Sequence, residues 1–245
     1  MIVRACPRDG LGGSPTLVLP DGSFSEAERR ALPVEHGTSH AVFLGPEGAL
    51  RFFTSAGELP GCGHGTVAAL AVLAADGTRE FTLRAGGRAF LGTAEPTSAG
   101  VEAFFDPGPI QVRDATRAER DAVVRALGAD GSCVIATLGR PRMLVEVPDV
   151  AALTPDLDLL KAATDELGLL GCYAYSAGNR YVARMFAPSI GVPEDVANAN
   201  STACLAAHLA ADVTVDMGDS LGRPATITAT ASAAGVMVGG LAVTA

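Results

Sequence analysis

The chain is almost without lysine: of its 18 basic residues only Lys161 is one, inside the amphipathic stretch LDLLKAATDEL. A lysine-linked cofactor would have a single candidate, and a long charged chain in that setting stays in solvent. The 27 acidic residues outnumber the basic ones and give a formal net charge of −9, which argues against sequence-independent nucleic-acid binding, since that affinity comes from Lys and Arg neutralising phosphates. Long apolar runs are missing too. VAALAVLAA, at 67–75, falls far short of the roughly 18 residues a spanning helix needs, and no basic-then-apolar leader opens the chain. A cytoplasmic protein that binds neither nucleic acid nor membrane is expected.

Paired cysteines are also lacking. Cys6, Cys62, Cys133, Cys172 and Cys204 are odd in number and scattered, with no CxxC, so they form neither a disulfide framework nor a zinc ribbon. Cys133 in GSCVIATL and Cys172 in GCYAY read as small core hydrophobes in strands, and Cys204 as core within a helix. The four histidines show no HxxxH spacing with a carboxylate. His36 and His40 flank Gly37 in what reads as a loop entering a strand, so no metal site is expected.

What the chain does contain is a repeat. GSPTLVL at 13–19, RFFTSAGELP at 51–60 and TVAALAVLAA from Thr66 are echoed by GRPRMLVEV at 139–147, RMFAPSIGVP at 184–193 and TACLAAHLAA from Thr202. In both halves Arg precedes Phe by two residues and Pro by nine, as in Arg51, Phe53, Pro60 and Arg184, Phe186, Pro193. Each half is thus a β-rich unit carrying one apolar helix with hardly a polar face, and such a helix must be buried on nearly all sides. A curved sheet wrapped around it satisfies that demand. More polar segments at 23–32, 115–128 and 155–168 read as surface helices, with Ser25 and Thr116 as N-caps. The expected fold class is α+β, with domains at 1–110 and 111–245 and the last strand free to return to the first domain.

If the halves are related by a pseudo-two-fold, the loops GCGHG and EDVANANS lie before equivalent helices, and both helix N-termini face one cleft. Unpaired N–H groups and partial positive charge there suit a carboxylate or an enolate, and glycines let the backbone approach it closely.

Gly13-Ser14-Pro15, CGHGT (62–66), RMFAPSIGVPED (184–195) and MGDSLGRPATI (217–227) resemble the PhzF-like isomerases of phenazine biosynthesis along essentially the whole chain. That family shares its fold with diaminopimelate epimerase and proline racemase. The resemblance implies two pseudo-symmetric β-barrel-like domains around central helices, an interdomain site, no cofactor, a small carboxylate substrate and a homodimer. There are departures: the family's acid/base glutamate falls on His40, its Gly-Asn-Pro has become Gly13-Ser14-Pro15, and its Glu-Asp-Pro-Ala-Thr-Gly-Ser loop reads Glu194 to Asn200 without the Gly-Ser pair.

His40 remains a usable acid/base group at neutral pH, against the alternative of a bystander at a strand edge. Cys62 matches one of the two catalytic thiols of the epimerases, and a thiol at a helix N-terminus can have a depressed pKa; the second thiol's position holds Asn198. His64, with Gly63 and Gly65, matches a site histidine whose implied role is hydrogen bonding to substrate. Asp195 matches the family's aspartate, which binds substrate or orients a base; the alternative is a turn carboxylate. Ser14, Asn198, Asn200 and Ser201 are candidate polar contacts, with Ser201 the expected cap of the second helix. His36 and His208 read as structural.

Three functions follow. The first is a cofactor-independent isomerase of antibiotic-type metabolism that moves a proton between carbons of a small carboxylic or amino acid, with His40 as the base. The others are a thiol/imidazole epimerase using Cys62 and a non-catalytic small-acid binder.

Overall fold

In a computed structural model, residues 1–244 are described, and five α-helices and seventeen strands are formed among them. The helices are α1 (Glu26–Glu35), α2 (Gly63–Leu73), α3 (Arg117–Leu127), α4 (Leu157–Glu166) and α5 (Ala199–Leu209). The three polar segments are helices as expected. Ser25 and Thr116 each close a capping box, with Glu28 and Glu119 reaching back to the cap N–H, and the Asp156 carboxylate caps α4. None of the helices among the described residues is long and apolar enough to cross a membrane.

The repeat is structural. Strands Ser14–Pro20 and His40–Leu44 pair in parallel across the α1 crossover; Arg140–Glu146 and Cys172–Ser176 do the same across α4. Each pair continues into an antiparallel strand, Leu50–Thr54 or Tyr181–Ala187, and a short one, Gly57–Leu59 or Val192–Asp195, that leads into α2 or α5. A three-strand meander ends each half: Glu80–Ala85, Arg88–Thr97 and Gly100–Phe105 in the first, Val213–Met217, Ala225–Ser232 and Gly235–Thr244 in the second. The last strand also pairs with Gly100–Phe105 and with Ile2–Ala5, so the chain's end is hydrogen-bonded to the first half.

The repeated Arg and Phe have a physical reason. Arg51 forks onto Glu58 at 2.8 and 2.7 Å, and Arg184 onto Glu194 at 3.0 and 2.7 Å. Each guanidinium also lies over the phenylalanine two residues on, 5.1 Å from the Phe53 ring centre and 4.9 Å from that of Phe186. This pins the strand that feeds each central helix.

Burial follows the apolar pattern. In α2 every residue from Gly63 to Ala71 is buried, as are Ala199 and Ser201 through Ala206 in α5, and one hydrophobic core spans both helices. Smaller clusters lie between α3, α4 and the sheet, and under α1. Cys172 and Cys204 are core, as expected; Cys133 is half-buried.

Both central helices start three residues before the Thr66 and Thr202 expected from the apolar pattern, so GHG and ANS are first turns and not preceding loops. The reason is contact between the two helix ends. A Cβ on Gly63 would lie 2.7 Å from Ala199 Cβ and 3.4 Å from Asn200 Oδ1, so only glycine lets α2 and α5 meet end to end. Gly63→Ala is therefore expected to destabilise the fold by about 1–3 kcal/mol, the usual cost of overpacking, read as a lower urea midpoint at unchanged slope.

Candidate active site

The meeting point of the helix ends collects the chemistry. His40 opens its strand and stands in register with Thr16 on the neighbouring parallel strand. Cys62 is the N-cap residue of α2 and His64 lies in its first turn, both buried. Folding brings His64 Nε2 within 2.8 Å of His40 Nδ1 and 3.4 Å of Cys62 Sγ, while His64 Nδ1 is 3.3 Å from the Ala197 carbonyl. A carbonyl oxygen only accepts, so His64 Nδ1 carries a proton, and its Nε2 faces both the sulfur and His40.

Two opposing effects set the charges. Burial alone would push the Cys62 thiol up, but the electrostatic pull of the neighbouring His40 and His64 rings, with their hydrogen bonds, outweighs it and brings the thiol down to about 5. Burial would likewise lower His64; the Cys62 thiolate, its hydrogen bond and the more distant Asp195 charge reverse that and raise it to about 9. At neutral pH the pair is thiolate and imidazolium.

The helix ends are not equivalent. In α5 the Asn198 side chain accepts from Ser201 N–H at 2.9 Å, whereas no side chain caps α2. Sequence reasoning assigned the cap to Ser201. That is corrected: Ser201 is the third residue of the helix, fully buried, and its hydroxyl accepts from Arg142 Nη1 at 3.1 Å. Asn198 is likewise engaged, donating from Nδ2 to Asp195 Oδ2 at 2.9 Å. Asp195 holds this loop and biases His64 through its charge.

Ser14, Gly65 and Asn200 lie against the row or its sequence neighbours. Ser14 is buried and shares a hydroxyl contact of 3.1 Å with Ser39, which precedes His40. A Cβ on Gly65 would lie 3.0 Å from the Phe52 ring and 3.1 Å from Cys62 Sγ, so glycine there leaves room for the sulfur. Asn200 lies opposite Gly63 on the abutting helix. His36 sits at the exposed C-terminal end of α1 and His208 in the last turn of α5, and neither belongs to the cluster of His40, Cys62 and His64.

Two participants escaped sequence reasoning. No local signal marks Ala197, whose carbonyl fixes the His64 ring. Arg142 could have been noticed as a charge on the inward face of an apolar strand. It is 2 % exposed, donates to Ser201 and to the Leu138 and Arg140 carbonyls, has no hydrogen-bond partner for Nε, and burial depresses its pKa.

Compared with known proteins, residues 8–245 match the family described as phenazine biosynthesis-like protein. The chain belongs to the PhzF family of isomerases. Among curated relatives, it is 28% identical over 220 residues to an uncharacterised isomerase, YddE, of Escherichia coli O157:H7, covering 81% of this chain and 74% of that one. It is 28% identical over 235 residues to trans-2,3-dihydro-3-hydroxyanthranilate isomerase of Pseudomonas chlororaphis, covering 90% and 83%. Its fold is that of a PhzF-family phenazine biosynthesis protein from Bacillus anthracis, at TM-score 0.83 and 16% identity over 99% of this chain and 95% of that one. A predicted epimerase from Pseudomonas aeruginosa superposes at TM-score 0.82 and 22% identity over 98% and 94%.

Proposed function

We propose that this PhzF-family isomerase is cofactor-independent and shifts a proton between carbons of a small carboxylic or amino acid, with His40 as the residue that removes and redelivers it. The observation carrying this reading is the unbroken row Cys62 Sγ, His64 Nε2, His40 Nδ1 at the uncapped end of a buried helix.

The row has two complementary proton arrangements of equal net charge. With the proton on His64 Nε2, the sulfur is a thiolate, His40 Nδ1 accepts, and His40 presents Nε2–H as an acid. With the proton on the sulfur, His40 Nδ1–H donates to His64 Nε2, and His40 Nε2 presents a lone pair as a base. An acid at one end therefore always accompanies a base at the other. At neutral pH the first arrangement prevails; His64 passes its Nε2 proton to the sulfur and the His40 proton moves from Nε2 to Nδ1 through water before His40 Nε2 takes the substrate proton, and returning that proton to another carbon leaves the row as it was.

The uncapped N–H groups of Gly63, His64 and Gly65 supply donors and partial positive charge for the substrate carboxylate, and for the enolate-like charge that develops as the proton leaves. Asp195 and Asn198 act as positioning residues by holding the loop that carries Ala197. Ser14, Asn200 and Ser201 remain proposed binding-pocket residues, although the Ser201 hydroxyl is already held by Arg142.

The depressed Cys62 pKa favours one second reading, in which the thiolate itself takes the proton and the protein is an epimerase. Proton NMR in D2O over a panel of amino acids, cyclic imino acids and dihydroaromatic acids separates the two. Deuterium entering a carbon next to a carboxylate or along a diene is the expected result. Loss of exchange in His40→Ala with a slower Cys62→Ser supports the first reading, and loss in Cys62→Ser alone supports the second. Binding without exchange for any compound overturns both in favour of a small-acid binder.

A further inference from the structure

The same three side chains also meet the requirements of a metal site, one that HxxxH spacing does not announce. Sulfur and two imidazole nitrogens, from Cys62, His64 and His40, all lie within 4.8 Å of one another. A tetrahedral zinc ion with Zn–N near 2.05 Å and Zn–S near 2.3 Å needs N···S edges of about 3.6 Å and N···N edges of about 3.3 Å. Here the Cys62–His64 edge is 3.4 Å and the His64–His40 edge is 2.8 Å. The second of these must open by roughly half an ångström, and the Cys62–His40 edge, which lies within 4.8 Å, must settle near 3.6 Å, adjustments that fall to the half-buried His40 ring when a metal replaces the shared proton.

We propose that His40, Cys62 and His64 bind a single zinc ion through His40 Nδ1, Cys62 Sγ and His64 Nε2, leaving the fourth position to water. One thiolate with two imidazoles is a borderline-soft donor set that prefers zinc or cobalt to magnesium or calcium. The His64 ring is already set for the task, because its other nitrogen donates to the Ala197 carbonyl, the outer contact that orients a ligating histidine. Half-buried His40 gives an approach from solvent, and buried Cys62 and His64 give the low-dielectric floor. Metal and substrate chemistry exclude one another, since the ion occupies the lone pairs that carry the proton. Zinc is thus an inhibitor that switches the row off. This consequence, unlike the binding itself, rests on the proton-transfer reading.

Cobalt(II) tests the binding without any assay of turnover. EDTA-treated protein titrated with cobalt chloride is expected to develop a thiolate-to-metal charge-transfer band and the intense visible bands of tetrahedral cobalt, saturating at one ion per chain. Zinc should displace it. In Cys62→Ser the charge-transfer band should vanish, and zinc affinity in Cys62→Ser and His40→Ala should fall by at least about 100-fold, beyond the 10–100-fold typical of outer-shell changes. Cys133→Ser, which removes a half-buried thiol elsewhere, should bind as the parent does. Circular dichroism establishes that each variant is folded, and His40→Gln serves as a second variant if His40→Ala is not. Absence of the band in the parent protein, or its persistence in Cys62→Ser, overturns the proposal. Tetrahedral cobalt without deuterium exchange would sink the isomerase reading and leave the site standing. Exchange without cobalt binding would do the reverse, and with both present, zinc should abolish exchange and EDTA restore it.

Discussion

Replacing His40 with alanine is expected to slow deuterium exchange by about 10²–10⁴-fold, the range supplied by a positioned acid/base side chain, while ligand binding survives. His40 is the half-buried member of the row, whereas Cys62 and His64 are buried beneath it. Its Nδ1 is committed to His64 at 2.8 Å, which fixes the ring and leaves Nε2 as the nitrogen proposed to meet the substrate. Truncation removes that atom but leaves untouched the uncapped N–H groups of α2 that are proposed to hold the carboxylate, so the loss should fall on kcat and not on KM. A His40→Ala protein that exchanges at the parental rate would show that the proton passes elsewhere, and Cys62 would be the remaining candidate.

How far the sequence foretold this arrangement depends on the range of each signal. The Ser25 and Thr116 helices were legible because capping chemistry lies within three residues of the helix start, and α4 because its segment is polar and amphipathic, although its Asp156 cap went unread. The central helices were legible as buried because neither has a polar face, yet their first turns were not, because Gly63 and Ala199 are dictated by the opposite helix and carry no local helix signal. The internal repeat survived in sequence where Arg51 and Arg184 each serve a carboxylate and a ring at once. His40 was singled out by resemblance alone. Its contact with His64 comes from parallel pairing across α1, a crossover that no spacing rule encodes, which is also why the His40, Cys62 and His64 cluster escaped a search for metal motifs. The asymmetry between the helix ends was hidden for a similar reason: Ser201 looked like a cap until Arg142, on a strand far away in sequence, was found to hold its hydroxyl.

The second large effect concerns the charge state of Cys62. In metal-free protein, His64→Gln is expected to raise the Cys62 pKa by about 1–3 units, the size of a close opposite charge, and so cut the thiolate-to-thiol ratio roughly 10–1000-fold. Burial is the largest influence on this thiol and pushes it up; the imidazoles reverse it, and removing one lets burial prevail. The parental thiol, by contrast, should stay ionised as pH falls until about 5, and His64 should stay cationic as pH rises until about 9. A depressed Cys62 contributes stability that is complete above its unfolded value near 8.5 and lost as pH falls through about 5. A raised His64 contributes stability that is complete below about 6.5 and lost as pH rises through about 9. The ion pair should therefore hold through neutrality, with Tm declining at both ends of that window. His64→Gln should remove the alkaline decline, because the group that titrates there is gone. Ultraviolet thiolate absorbance against pH, checked by the rate of iodoacetamide labelling at Cys62, reads the shift directly. A midpoint unmoved in His64→Gln would mean that His40 alone holds the thiolate, leaving His64 only its hydrogen bond to Ala197 and its contact with His40 as reasons to be buried at this helix end.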